Sequence, residues 1–286
     1  ALNSKELDVK RQKFALESKF PKIYSLSAAG NVLVKERGKS NSGELIGELK
    51  LLQQTIAKLD KETFQCEEEE FGFVYKMIEN HHFTKSNDQL IRAIVACIAV
   101  DLLNVSSSKC PIFNVTSLSK ILEFVVMELK NLREVESAGF AWTFYLLESL
   151  ASKGQLLLVF KLNPDKCDQI IFNAFSIILD AIRDDHSASV LAHCRQILEQ
   201  LLSESPYVAE NLVELVLERM LIRYGCSASQ NLLKLILGNC SGKIDQYIAQ
   251  FYATSIAAYK GKGKELDRMF SNIFKLFCLV PECTVS

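Results

Sequence analysis

The sequence is poor in residues that interrupt helices. Only 5 of its 286 residues are proline and 12 are glycine. That scarcity excludes a turn-rich sheet protein and favours long helices. No apolar run reaches the roughly 18 residues a membrane-spanning helix needs, so no membrane span is expected. No glycine-rich phosphate loop with its lysine and hydroxyl is present, and no dinucleotide fingerprint. The nearest piece, Gly261-Lys262-Gly263-Lys264, lacks a preceding strand and reads as a loop between helices. The four histidines, His81, His82, His186 and His193, form no His-x-x-x-His pair, and no Cys-x-x-Cys pair occurs. Neither a metal nor any other cofactor is therefore expected. His193 and Cys194 are neighbours, but adjacent helical residues face different directions, which argues against a catalytic pair.

What the chain does have is apolar content, at 49 %, and nine cysteines. An odd number of dispersed cysteines fits a reducing compartment, where thiols act as small hydrophobes. Cys97, Cys194, Cys226 and Cys278 lie in or beside apolar helical runs. The opening ALNSKELDVKRQK does not resemble a signal peptide. Charge is unevenly spread. Residues 1–39 hold nine Lys or Arg against four Asp or Glu, a balance of +5 in a chain whose net charge is -1. Residues 1–41 thus read as a basic leader, partly flexible, with Phe14, Leu16, Phe20, Ile23, Tyr24 and Leu26 able to dock part of it. Lys10, Arg11 and Lys13 are its candidates for contact with an anion or DNA.

From Ser42 onward an apolar face recurs. Leu45, Leu49, Leu52, Ile56 and Leu59 follow one another at spacings of three and four. The same pattern predicts helices at 44–60, 68–80, 88–104, 117–131, 138–153, 166–182, 187–203, 207–222, 227–237, 241–259 and 264–279. Short polar links such as REVES, RDDHS and SESP force antiparallel packing of neighbours. Alternate helix starts lie 40 to 50 residues apart. This period matches HEAT-like repeats, whose hairpins bury their apolar stripes only by stacking. The fold expected is all-α, a HEAT-like helical-hairpin solenoid over 42–286 that continues in a longer parent protein. The apolar run Leu156–Phe160 is ambiguous, and Asn163 before Pro164 is placed to start the next helix.

Several segments are more distinctive. Residues 90–103, LIRAIVACIAVDLL, are apolar on nearly all sides and predict a helix sandwiched in the core, with Arg92 and Asp101 emerging at its ends or meeting loop backbone. Glu67–Glu70 sit where a helix should begin, which suits the positive end of its dipole. Arg183–His186 reads as a hydrated turn. Phe140, Trp142, Phe144 and Tyr145 read mostly as core, one of them a candidate for lining a peptide groove. Phe270, Phe274 and Phe277 form an apolar face that a further repeat would cover.

Two segments go beyond periodicity. Residues 88–103, DQLIRAIVACIAVDLL, resemble the helix of the cohesin-associated Pds5 family that reads roughly VRxxxACCLxDIL. Arg92, Ala96, Cys97, Asp101 and Leu103 match, while Ile98 replaces the second cysteine. Tyr145-Leu146-Leu147-Glu148-Ser149-Leu150-Ala151 is similar to the family's YxLLExLA-like piece, with Cys167, Ile171, Phe172 and Phe175 fitting downstream. The early SGELIGELKLLQQTIAKLD is similar to the family's first leucine-rich helix. The resemblance covers about 42–260. It implies a HEAT-repeat regulator of cohesin, nuclear and chromosome-associated, with no catalytic residue. The implied partners are the cohesin kleisin subunit, a Wapl-type release factor and the cohesin acetyltransferase. Some members also bind a highly phosphorylated inositol, but no residue match carries that site over.

The chain departs from the family at one loop. Many members have an APDAP-like partner-recruiting loop after this helix, whereas this chain has Ser107, Ser108, Lys109, Cys110 and Pro111. Only Pro111 matches, and Lys109 replaces an acid. With Arg92, these residues are the candidate partner-binding site, altered in charge. Three other readings stand beside this one: a helical-repeat adaptor in nuclear transport or trafficking, a scaffold contacting DNA through its leader, and an all-helical hydrolase.

Overall fold

The structure, a computed structural model, describes residues 19–21, 23, 42–59, 68–79, 81–106, 115–221, 226–257 and 263–279. No strand occurs among the described residues. The chain divides into two compact units, one of residues 1–128 with 136–149, the other of 129–135 with 150–286.

The first unit holds α1 (Ser42–Ala57), α2 (Glu68–Glu79), the short α3 (His81–Thr84), α4 (Gln89–Val105), α5 (Val115–Glu128) and most of α6 (Phe140–Lys153). The expected face of α1 forms: Leu45, Leu49, Leu52 and Ile56 are buried, and α1 packs along α4. Burying such a side chain stabilises by about 1.5–3 kcal/mol before ordering costs are counted. Phe20 and Ile23 are also buried, and the Ile23 amide donates to Glu48 Oε2 at 3.1 Å. The start of α4 is set by Asp88, whose carboxylate accepts from the Leu90 amide at 2.9 Å. Its other end closes on Ser106, whose amide donates to the Leu102 carbonyl at 2.9 Å. Between them every residue from Ala93 to Leu103 is buried, so the helix is sandwiched as expected.

The second unit contains the last turn of α6, two 3-10 segments (Leu129–Arg133 and Gln155–Lys161), α7 (Pro164–Ala181), α8 (Ala188–Glu204), α9 (Glu210–Leu221), α10 (Ser227–Asn239), α11 (Ser241–Ala257) and α12 (Gly263–Leu279). Asn163 starts α7 as read from the sequence, its Oδ1 accepting from the Lys166 amide at 3.0 Å. The ambiguous run at 156–160 is 3-10. Gly154 precedes it with φ 67, a left-handed conformation that a side chain disfavours. Leu156 and Val159 are then both buried, at the three-residue spacing a 3-10 helix brings to one side.

Packing in this unit follows stacked helical hairpins of HEAT type. α7 packs on α8 and α9, α8 on α10, and α9 on α10 and α12. Polar contacts tie successive layers. Lys243 Nζ donates to the Ser205 carbonyl at 2.5 Å and Gln246 Nε2 to the Pro206 carbonyl at 2.8 Å. Asp184 accepts from the Ser227 hydroxyl and the Ala228 amide, both at 2.8 Å. It caps α10 from a preceding layer, and those two donors hold its carboxyl below its ordinary range.

Three expectations need correction. Phe140, Trp142, Phe144 and Tyr145 are all half-buried rather than core. The helix seals instead through Leu146, Leu147, Leu150 and Ala151, which lie on a different stripe. The turn at 183–186 is only partly hydrated. Arg183, Asp184 and Asp185 are exposed, but His186 is buried. Its Nε2 meets the Leu132 carbonyl at 2.9 Å, and its Nδ1 accepts from the Arg183 amide at 3.2 Å. Asp101 does not emerge at a helix end; it is 1 % exposed.

Candidate functional site

The residues that carried the resemblance turn out to be largely interior. Arg92 lies one turn into α4. Its Nε donates to Glu128 Oε1 on α5 at 3.0 Å, and its Nη1 donates to the Ser86 carbonyl at 2.5 Å. The two side chains are 18 % and 5 % exposed, so water screens this pair less than a surface pair. Arg92 thereby fastens the loop before α4 to α5. Its meeting with loop backbone agrees with expectation, and the edge of its guanidinium remains at the surface.

Two turns further, Asp101 accepts Gln53 Nε2 from α1 at 2.8 Å. It also accepts the Tyr145 hydroxyl from α6, at 3.0 Å to each carboxylate oxygen. One buried carboxylate therefore joins three helices. Burial, then the Asp101 charge and hydrogen bond, push the Tyr145 hydroxyl up to about 12. Cys97, one turn back from Asp101, donates to the Trp142 carbonyl at 3.2 Å. Burial raises its thiol well above the ordinary value. The family-like helix owes these residue types to packing.

Ser107, Ser108, Lys109, Cys110 and Pro111 lie outside the described residues, as do Lys10, Arg11 and Lys13. The flanks of that loop are fixed by Ser106 at the end of α4 and Val115 at the start of α5.

Catalytic and metal chemistry finds no constellation among the described residues. No group of three or more His, Cys, Asp or Glu is placed to hold a metal. Burial raises the Cys194 thiol to about 12, so it is protonated at neutral pH and unsuited to nucleophilic attack. No described helix is long and apolar enough to cross a membrane.

A broad polar groove lies within the second unit. Asp168, Tyr207, Glu210, Asn211, Tyr247, Gln250, Lys264 and Arg268 line a groove of about 830 Å³. The Tyr207 hydroxyl donates to Asp168 Oδ2 at 2.8 Å and the Tyr247 hydroxyl to Glu210 Oε2 at 2.8 Å. Asn272 Nδ2 holds the other Glu210 oxygen at 2.9 Å. The hydrogen bond to Asp168, then desolvation, raises the Tyr207 hydroxyl to about 12. Burial, then Glu210, raises that of Tyr247. Arg268 pairs with Glu214 through both Nε and Nη2. Sequence reading missed this groove. Its only trace was that the pairs 168/207 and 210/247 are separated by about one repeat.

The model of the sister chromatid cohesion protein PDS5 family matches residues 43–285. The chain is 23 % identical over 251 residues to sister chromatid cohesion protein PDS5 homolog A of Gallus gallus, covering 87 % of this chain and 19 % of that protein. It is 23 % identical to the Homo sapiens homolog A, covering 87 % and 18 %. It is 24 % identical over 242 residues to PDS5 homolog B-B of Xenopus laevis, covering 84 % and 16 %. The chain thus spans about a fifth of the length of the curated relatives it matches. Among solved structures, a chain from a Pds5–Scc1 complex superposes with TM-score 0.67 at 19 % identity, covering 85 % of this chain and 37 % of that one. The likeness in structure bears on the fold; the family match spans nearly the whole sequence, and this chain belongs to the sister chromatid cohesion protein PDS5 family.

Proposed function

We propose that the chain is a noncatalytic, protein-binding portion of a cohesin regulator that serves sister-chromatid cohesion. The observation that carries this reading is the family match over residues 43–285. The fold shared with a chain solved in a Pds5–Scc1 complex supports it. In this reading the parent protein engages a kleisin of Scc1 type, and stacked hairpins supply rigid surfaces with little ordering cost on binding. It acts in the nucleus, on chromosomes. Affinity capture of the full-length parent from chromatin tests this: an Scc1-type kleisin should co-purify, and its absence from chromatin-bound material contradicts the reading.

A Wapl-type release factor and the cohesin acetyltransferase are the further partners in this proposal. Arg92 and Ser107–Pro111 form the contact region. Lys109 reverses the charge of the family's acid there, so a peptide selected by that acid binds more weakly. Replacing Lys109 with Asp in the full-length protein should strengthen binding of a Wapl-type peptide. Unchanged binding contradicts a role for this loop. A DNA contact through Lys10, Arg11 and Lys13 is the second reading, motivated by the +5 balance of residues 1–39. Neutralising the three should weaken DNA binding and flatten its salt dependence; equal binding and slope remove it.

A further inference from the structure

The groove of the second unit is lined by charges of both signs. Asp168 of α7 and Glu210 at the start of α9 supply the acids. Lys264 and Arg268, four residues apart on α12, supply the cations. Each acid is already oriented by a tyrosine hydroxyl at 2.8 Å. An anion held in this way need not reorganise when a cation arrives; Asp168, with its tyrosine donor, and Glu210, with Tyr247 on one oxygen and Asn272 on the other, keep lone pairs for a further donor. The half-buried ring of Tyr207 beside Asp168 adds a face on which a guanidinium can rest. Arg268 is already paired with Glu214 of α9. Lys264 is exposed and forms no ion pair among the described residues.

We infer that this groove binds an extended protein segment that presents a basic side chain to Asp168 and Glu210 and an acidic one to Lys264. The charge pattern selects against the other polymers. A nucleic acid or polyphosphate meets Asp168, Glu210 and the neighbouring Glu214. A uniformly basic tail meets Lys264 and Arg268. A segment carrying both signs satisfies the acids and Lys264 together. The exposed amide of Asn211, which also lines the groove, suits the backbone groups of an extended strand. Adjacent helices pack about 8–10 Å apart, so a path over three helices is on the order of 20 Å, or about six extended residues.

The test uses the full-length parent protein and fluorescein-labelled six-residue peptides. One set carries a single Arg and a single Glu, with one to four residues between them. Control sets are all-basic, all-acidic or neutral. Fluorescence anisotropy should show one spacing of the mixed set binding about tenfold more tightly than any control. Asp168→Asn should weaken that peptide. Lys264→Glu should move the preference to peptides with two Arg residues. Thermal melting checks both variants for folding, and Lys264, being exposed, is expected to leave it unchanged. Equal binding of mixed and neutral peptides overturns the proposal. So does tighter binding of the all-acidic set, or a preference that Lys264→Glu does not move. The peptides are defined by charge alone, so these outcomes are independent of whether an Scc1-type kleisin binds.

Discussion

The same chemical pair, a tyrosine hydroxyl on a carboxylate from an earlier helix, occurs in both units with different surroundings. In the first unit Tyr145 bonds Asp101, which is sealed at 1 % exposure and also holds Gln53. In the second, Tyr207, half-buried, bonds Asp168 at the lining of an open groove. Water decides the difference. A buried carboxylate that loses its donors, or donors that lose their carboxylate, cannot be resolvated, so the Asp101 pair pins three helices in register. At the groove, water replaces any lost partner. The bond there orients the acid and contributes little to stability.

The largest expected effect that separates the two is on the carboxylates themselves. Asp101→Ala leaves Gln53 and Tyr145 without their acceptor and should lower stability by about 2–4 kcal/mol in urea titration. Asp168→Ala should cost less than about 0.5 kcal/mol. Similar losses at both sites would break the comparison. Next in size is His186→Ala, which removes the side chain that joins the Leu132 carbonyl to the Arg183 amide. A loss of about 2 kcal/mol is expected, and a loss below about 0.5 kcal/mol would mean water substitutes there.

That histidine shows where sequence reasoning stops. The long helices are readable: 166–182 is expected where α7 runs Pro164–Ala181, and 227–237 where α10 runs Ser227–Asn239, whereas the short helix His81–Thr84 falls in a segment that reads as a loop. Those positions follow from local apolar spacing and capping chemistry, which a sequence displays directly. His186 sits among exposed acids and bonds a carbonyl 54 residues away, so its local pattern suggested water. Asp101 was misplaced for the same reason, since its partners lie 48 and 44 residues off. Tyr207 and Tyr247 gave no local signal either, because their acids are one hairpin layer away. The 3-10 run after Gly154 has period three, which a search for period 3.6 leaves undecided. Phe270 and Phe274, by contrast, were read as an uncovered face from spacing alone, and both are 64 % exposed.

Smaller effects sharpen the contrast. Tyr145→Phe should cost about 1 kcal/mol at neutral pH. It should also change the alkaline limb. The Tyr145 hydroxyl stands at about 12 when folded against 10.0 as its ordinary value. Its stabilising contribution is therefore complete below pH 10 and lost as pH climbs toward 12, because the unfolded chain releases the proton first. The phenylalanine variant should lose less stability across that window. Tyr207 has a similar elevation, caused first by its bond to Asp168 at the groove. Adding salt should shrink the Tyr207 contribution and leave that of Tyr145 nearly unchanged. The smallest effect is expected for Phe270→Glu with Phe274→Glu, within about 0.5 kcal/mol, since both rings are mostly exposed. A large destabilisation would show that this face is covered within the protein.

We propose that the chain belongs to a scaffold that works by binding a cohesin subunit. Titrating an Scc1-type kleisin into the full-length parent protein by isothermal calorimetry is the decisive measurement. Saturable binding without turnover of the kleisin is expected. No saturable heat at any attainable concentration, in a protein that melts cooperatively and is therefore folded, would contradict it.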